Sequence, residues 1–263
     1  HPPQNENQED LIKTDEQNLQ IVLSTLPAVI VLEEARIEGD LDLDEVKIHA
    51  HRELALSGKG LELNGHLDLR KAHITGTIYL NYARIKESFR ADQIKHMGPL
   101  IFHFSLVRKP DIVCLMCHQM RVGGVMTLEE AWLTGALLLS GVQVQEDLLL
   151  NGVKIEKGFL GIDDLRVNSR ALLKKAQVKE DLSLTKSQIG GELNAEGVEV
   201  KGWFEVEGLT VQGALVLKEA QVKEDLLLTK SQIGGELNAE GVKVEGRFKV
   251  EGLTVQGAFV LKE

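Results

Sequence analysis

The chain has 263 residues, 43% hydrophobic and 4% aromatic, with 40 acidic against 30 basic residues and a net charge of −10. That length suits one large domain or two small ones, and the acidic balance argues against nucleic-acid binding, which needs a basic footprint. Apolar runs such as Ala28 to Leu32 are far too short to span a membrane as a helix.

The sequence opens on His1-Pro2-Pro3 rather than methionine, as in a mature chain whose signal peptide has been removed. A periplasmic or extracellular location is therefore expected. Residues 1–34 differ in pattern from the rest of the chain. Between Glu9 and Thr25 an imperfect amphipathic stripe of Leu11, Ile12, Leu19, Val22 and Leu23, with acidic residues early, predicts a short helical cap. Such a cap would cover the open end of the repeats that begin at residue 35.

From residue 35 onward an 11-residue unit recurs, first as Ala35-Arg36-Ile37-Glu38-Gly39-Asp40-Leu41-Asp42-Leu43. Positions 1, 3, 7 and 9 of the unit are apolar or small, position 5 is often glycine, and the rest are mostly charged or polar. Such spacing would scatter apolar residues around a helix axis, whereas period two suits very short strands joined by tight corners. Two units make one 22-residue coil with four faces. The pattern predicts an all-β fold, a parallel β-helix of about ten coils over residues 35–263. Units start at Leu61, Ala72, Ala83 and Ile94, then at Met120, Ala131 and Val142, with a one-residue slip near Lys157–Asp164. Residues 46–60 hold extra residues, expected as a bulged corner around His49–Glu53.

The rhythm also breaks over residues 94–119. Residues 105–119 are about four longer than a unit allows, and Arg108-Lys109-Pro110-Asp111 reads as a turn. On this lengthened stretch lies Cys114-Leu115-Met116-Cys117-His118, which uses both cysteines of the chain. C-x-x-C-H is the spacing of covalent haem attachment, and here the chain resembles c-type cytochromes. The resemblance implies one haem c bonded through Cys114 and Cys117, with His118 as proximal iron ligand. The upstream run Leu100-Ile101-Phe102-His103-Phe104 is similar to that of the small class III cytochromes, although the usual F-x-H reads Phe102-His103 here. It implies His103 as distal ligand, with His96 and then Met97 as the other candidates. His96 falls at an inward position, where a buried core histidine is the plainer reading, and Met120 begins a unit as a core residue. His49, His51, His66 and His73 read as solvated surface groups. Three other readings of the cysteine pair stay open: a zinc site from Cys114, Cys117, His103 and His96, a redox disulfide, or chance.

Residues 176–219 and 220–263 are near copies that differ at six positions: Ser183/Leu227, Glu199/Lys243, Lys201/Glu245, Trp203/Arg247, Glu205/Lys249 and Leu215/Phe259. Five of the six fall at outward positions, and the sixth exchanges one apolar residue for another. The last unit stops in mid-rhythm, so the end is expected to continue into more chain or to stack on another molecule as a head-to-tail fibre.

Two functions are expected from these features. One is an exported monohaem c-type cytochrome, an electron carrier rather than a catalyst, docking a redox partner with a basic face or other cytochromes. The other is a structural or fibre-forming β-helix scaffold and possible homo-oligomer, with a zinc site or no cofactor. A polysaccharide-cleaving enzyme fits less well, because the coils lack clustered carboxylates and aromatics.

Overall fold

The computed structural model describes residues 13–15, 18–20 and 29–262, except 92, 98, 102–105 and 108–112. Period-two alternation in short segments leaves the backbone two or three residues per straight run before a corner. The result is a four-sided parallel β-helix. Face 1 stacks ten short strands from Arg36–Ile37 to Lys243–Val244. Face 2 runs from Leu41–Asp42 to Phe248–Glu251. Face 4 begins at Ile30–Val31, and in the next two coils faces 3 and 4 are carried by the continuous strands Lys47–Ser57 and His73–Tyr79, which cross the corner between them. Further along they separate, face 3 ending at Thr254–Val255 and face 4 at Phe259–Val260. Successive rungs are parallel and in register, as in Leu182↔Phe204 and Phe204↔Leu226. At about 4.8 Å per rung, ten rungs make a stack of about 50 Å.

Each coil is too thin to bury anything alone, so its inward side chains pack on those of the coils above and below. In the first of the two near copies, positions 1, 3, 7 and 9 of every unit are at most 2% exposed, from Ala176 to Leu217. Two of the inward positions across the copies carry serine. Ser187 Oγ accepts from Leu165 N at 3.2 Å and donates to Thr185 O at 3.1 Å, and Ser231 repeats the arrangement one copy later. Satisfied in this way, a hydroxyl is tolerated in an apolar interior.

Two corner chemistries hold the coils together. Where face 3 turns into face 4, Gly213, Gly235 and Gly257 stack in a column. A Cβ on any of them would lie 2.7–2.8 Å from backbone of the coil below. Before Arg170, Trp203 and Arg247, an aspartate of the preceding coil accepts the backbone N–H: Asp147 at 2.9 Å, Asp181 at 2.8 Å and Asp225 at 2.8 Å. Exposed ion pairs such as Arg84–Glu62 (2.6 Å) and Lys230–Glu207 (2.9 Å) add little, because solvent screens them.

The irregularities fall where the sequence marks them. The pairing of Lys47–Ser57 with His73–Tyr79 shifts register between His49 and Leu56. Trp132 follows its rung partner Leu106 by 26 residues, where 22 separate Leu106 from Arg84. Leu160 follows Leu137 by 23, one residue more than its successor Leu182. The N-terminal segment departs from expectation. In place of a helix over Glu9–Thr25, Lys13–Asp15 and Asn18–Gln20 are antiparallel strands, the second pairing with Leu41–Asp42. An added strand gives partners to the backbone groups of the first rung, which a helix would leave unpaired. The remainder of Glu9–Thr25 lies outside the described residues. Among the described residues no helix is long and apolar enough to cross a membrane.

Candidate functional site

The C-x-x-C-H motif occupies a rung. Val113–His118 is a strand of face 2, joined on one side to Phe89–Arg90 and on the other to Ala136–Ser140. The extra residues of its coil are absorbed before it, between Val107 and Leu115, and the register shifts between Val113 and Leu115. From Leu115 onward the strand alternates normally. Leu115 is 1% exposed and Cys117 0% exposed, both within the core, whereas His118 points to solvent. Cys117 sits level with Leu139 of the next rung.

This placement does not fit thioether attachment. A bonded haem needs both sulfurs on one outer surface, and Cys117 Sγ faces an interior filled by Leu139 and its neighbours. Reaching a haem would require the strand to leave the stack. The side chains of Cys114, His96 and Met97 lie outside the described residues, as does His103 entirely. The register aligns His96 with Ile74 and Val122, whose side chains are buried. Met120, expected in the core, is 0% exposed. Among the described residues no three His, Cys, Asp or Glu side chains are grouped to hold a metal ion.

His118 instead lines a groove at the corner between faces 2 and 3. The groove encloses about 850 Å³, and His73, Arg121, Gln143, Asp164 and Arg166 are among the residues that line it. Two smaller grooves continue it along face 3. The first shares Arg166, and the second shares Thr210 and Gln212 with the first. Together they form one trough parallel to the stack axis.

The rung register explains its chemistry. One column of face 3 runs Lys47, His73, Lys95, Arg121, Gln143 and Arg166, then Gln188, Thr210, Gln232 and Thr254. In a chain with ten more acidic than basic residues, this column holds no carboxylate. Its first half is cationic and its second half carries amides and hydroxyls. Arg121 and Arg166 are exposed and have no ion pair among the described residues. Lys71, at the groove's end, is bound by Glu45 at 2.9 Å, which lowers the Glu45 pKa and raises that of Lys71 through a mutual hydrogen bond. His73 is only half-buried, but its Nδ1 is inaccessible and has no hydrogen-bond partner among the described residues. The expectation of a plain solvated histidine is thus corrected: the ring is partly covered, with Nδ1 turned away from solvent.

Spacing alone did not single out this trough. The signal that could have found it is unit position 2, read through coils of 26, 22, 26, 22 and 23 residues from Lys47 to Arg166. Position counting also locates Cys117. Back from Met120, at position 1, Cys117 falls at inward position 9. No family model, curated protein or solved structure matches the chain.

Proposed function

We propose that the protein is a rigid β-solenoid scaffold that works by non-covalent binding along its side-chain ladders, with no covalent redox centre. Its partners under this reading are macromolecules that lie along the rod, or further copies of it. The observation that carries the reading is the inward position of Cys117 on a rung paired on both sides. A sulfur there contributes to the core as a small apolar group does. The second reading is an exported monohaem cytochrome with Cys114, Cys117 and His118 on the haem and His103, His96 or Met97 opposite. It is supported by the motif spacing and by the exposure of His118, and it needs Cys117 to leave the core.

Visible absorption of the protein, produced in a host with c-type maturation machinery, separates the two. The scaffold reading expects no Soret band after acid–acetone extraction. A Soret band that survives extraction would overturn it and establish the cytochrome.

A further inference from the structure

Several features of the molecule offer themselves as a working surface. The apolar stripe on face 4, including Tyr79, Leu149, Leu172 and Val216, is largely covered by its own neighbours. Exposed Trp132 and Trp203 stand apart on different faces, one on the face 1 rung Trp132–Leu133 and the other beside the face 2 rung Phe204–Glu207. The face 3 trough unites shape and charge in one place.

We propose that the face 3 trough binds a linear carboxylated polysaccharide lying along the stack axis. The inference rests on the scaffold reading and gives that scaffold a ligand class. A ligand that spans successive rungs must be extended, because the three grooves join end to end. It must be anionic at one end of the trough, where Arg121 and Arg166, with His73 and His118, line the groove and Asp164 is the one described carboxylate in the lining. Unpaired guanidinium groups grip carboxylates through two parallel hydrogen bonds. Further along, Gln188, Thr210, Gln212, Gln232 and Gln256 offer amides and a hydroxyl that donate to and accept from sugar hydroxyl groups. The rungs repeat every 4.8 Å or so, a period comparable with the rise of a pyranose chain.

Nucleic acid fits this trough poorly. Its backbone charge is dense, the chain carries a net −10, and among the described residues no Phe, Tyr or Trp lines the three grooves to stack a base. Carboxylates spaced one per sugar match a line of isolated cations inside a polar channel.

Calorimetric titration with oligogalacturonates of four and ten sugars at low salt tests the assignment. Both are expected to bind, and affinity should fall as salt screens the cations. Arg121→Ala with Arg166→Ala should weaken both at least tenfold with an unchanged melting temperature, since neither arginine has an ion pair to lose among the described residues. Thr210→Trp should weaken the ten-sugar ligand and spare the four-sugar one. Absence of binding by either ligand, unchanged affinity in the arginine double variant, or equally tight binding of poly(dT) of matched charge would overturn the proposal. Those failures leave the scaffold reading intact, because that reading is judged by the absorption spectrum.

Discussion

Asp147 carries one of the inter-coil ties on a single side chain. Its Oδ1 accepts from the backbone N–H of Arg170 at 2.9 Å, and its Oδ2 accepts from the Arg170 guanidinium at 2.6 Å. The side-chain hydrogen bond from Arg170, helped by the backbone N–H, holds the Asp147 carboxyl down at about 2, against 3.8 unperturbed. A carboxylate depressed in the folded state contributes stability that is complete above its unfolded pKa and disappears as pH falls through the folded one. The contribution of Asp147 is therefore present at pH 7 and lost between about pH 4 and pH 2. Asp147→Asn keeps an oxygen for the backbone N–H and removes the charge. It should cost about 1–2 kcal/mol at pH 7, allowing for solvent around half-exposed Arg170. Urea melts at both pH values check this: the gap from the parent should close near pH 2, and a gap constant with pH would contradict it. From sequence, Asp147 is one outward acid among many. Only the coil register shows that it faces Arg170, 23 residues later.

At the scale of the element, glycine serves two purposes that composition cannot tell apart. Gly208 takes a left-handed corner with φ of 63°, yet the equivalent corners Lys186 and Lys230 hold 51° and 52° with full side chains. A Cβ on Gly208 would meet nothing closer than 3.8 Å. Gly235 has ordinary φ, but a Cβ there would lie 2.8 Å from Gly213 backbone. Gly208→Asn should therefore change stability by no more than about 1 kcal/mol. Gly235→Ala must pry two corners apart and should cost about 1–3 kcal/mol. Equal melting temperatures for the two variants would refute this division of roles. The sequence shows both glycines at repeating positions, and the unit pattern correctly predicts corners. Which corner needs φ and which needs closeness depends on the neighbouring coil. The same dependence misleads at the N-terminus, where an apolar spacing compatible with a helix gives strands at Lys13–Asp15 and Asn18–Gln20. There the unpaired edge of the first rung competes with local propensity.

For the molecule as a whole, the fold was legible because the interior imposes its period on every coil. Leu182, Leu184, Phe204 and Val206 could be assigned inward from the near copies alone, and all are at most 1% exposed. The site was less legible. A five-residue motif reads the same in a loop or a strand, whereas its chemistry depends on which way Cys117 points. The trough depends on rungs 22 to 26 residues apart and so has no compact signature. The central claim is that Cys117 belongs to the core of an intact rung, and thiol accessibility tests it most directly. In Cys114→Ser, Cys117 is the one remaining cysteine. Its thiol should resist a disulfide reagent under native conditions and react fully, as one thiol, only on global unfolding. Rapid native labelling, or no reactive thiol even in denaturant because the sulfur is bonded to haem, would contradict the account.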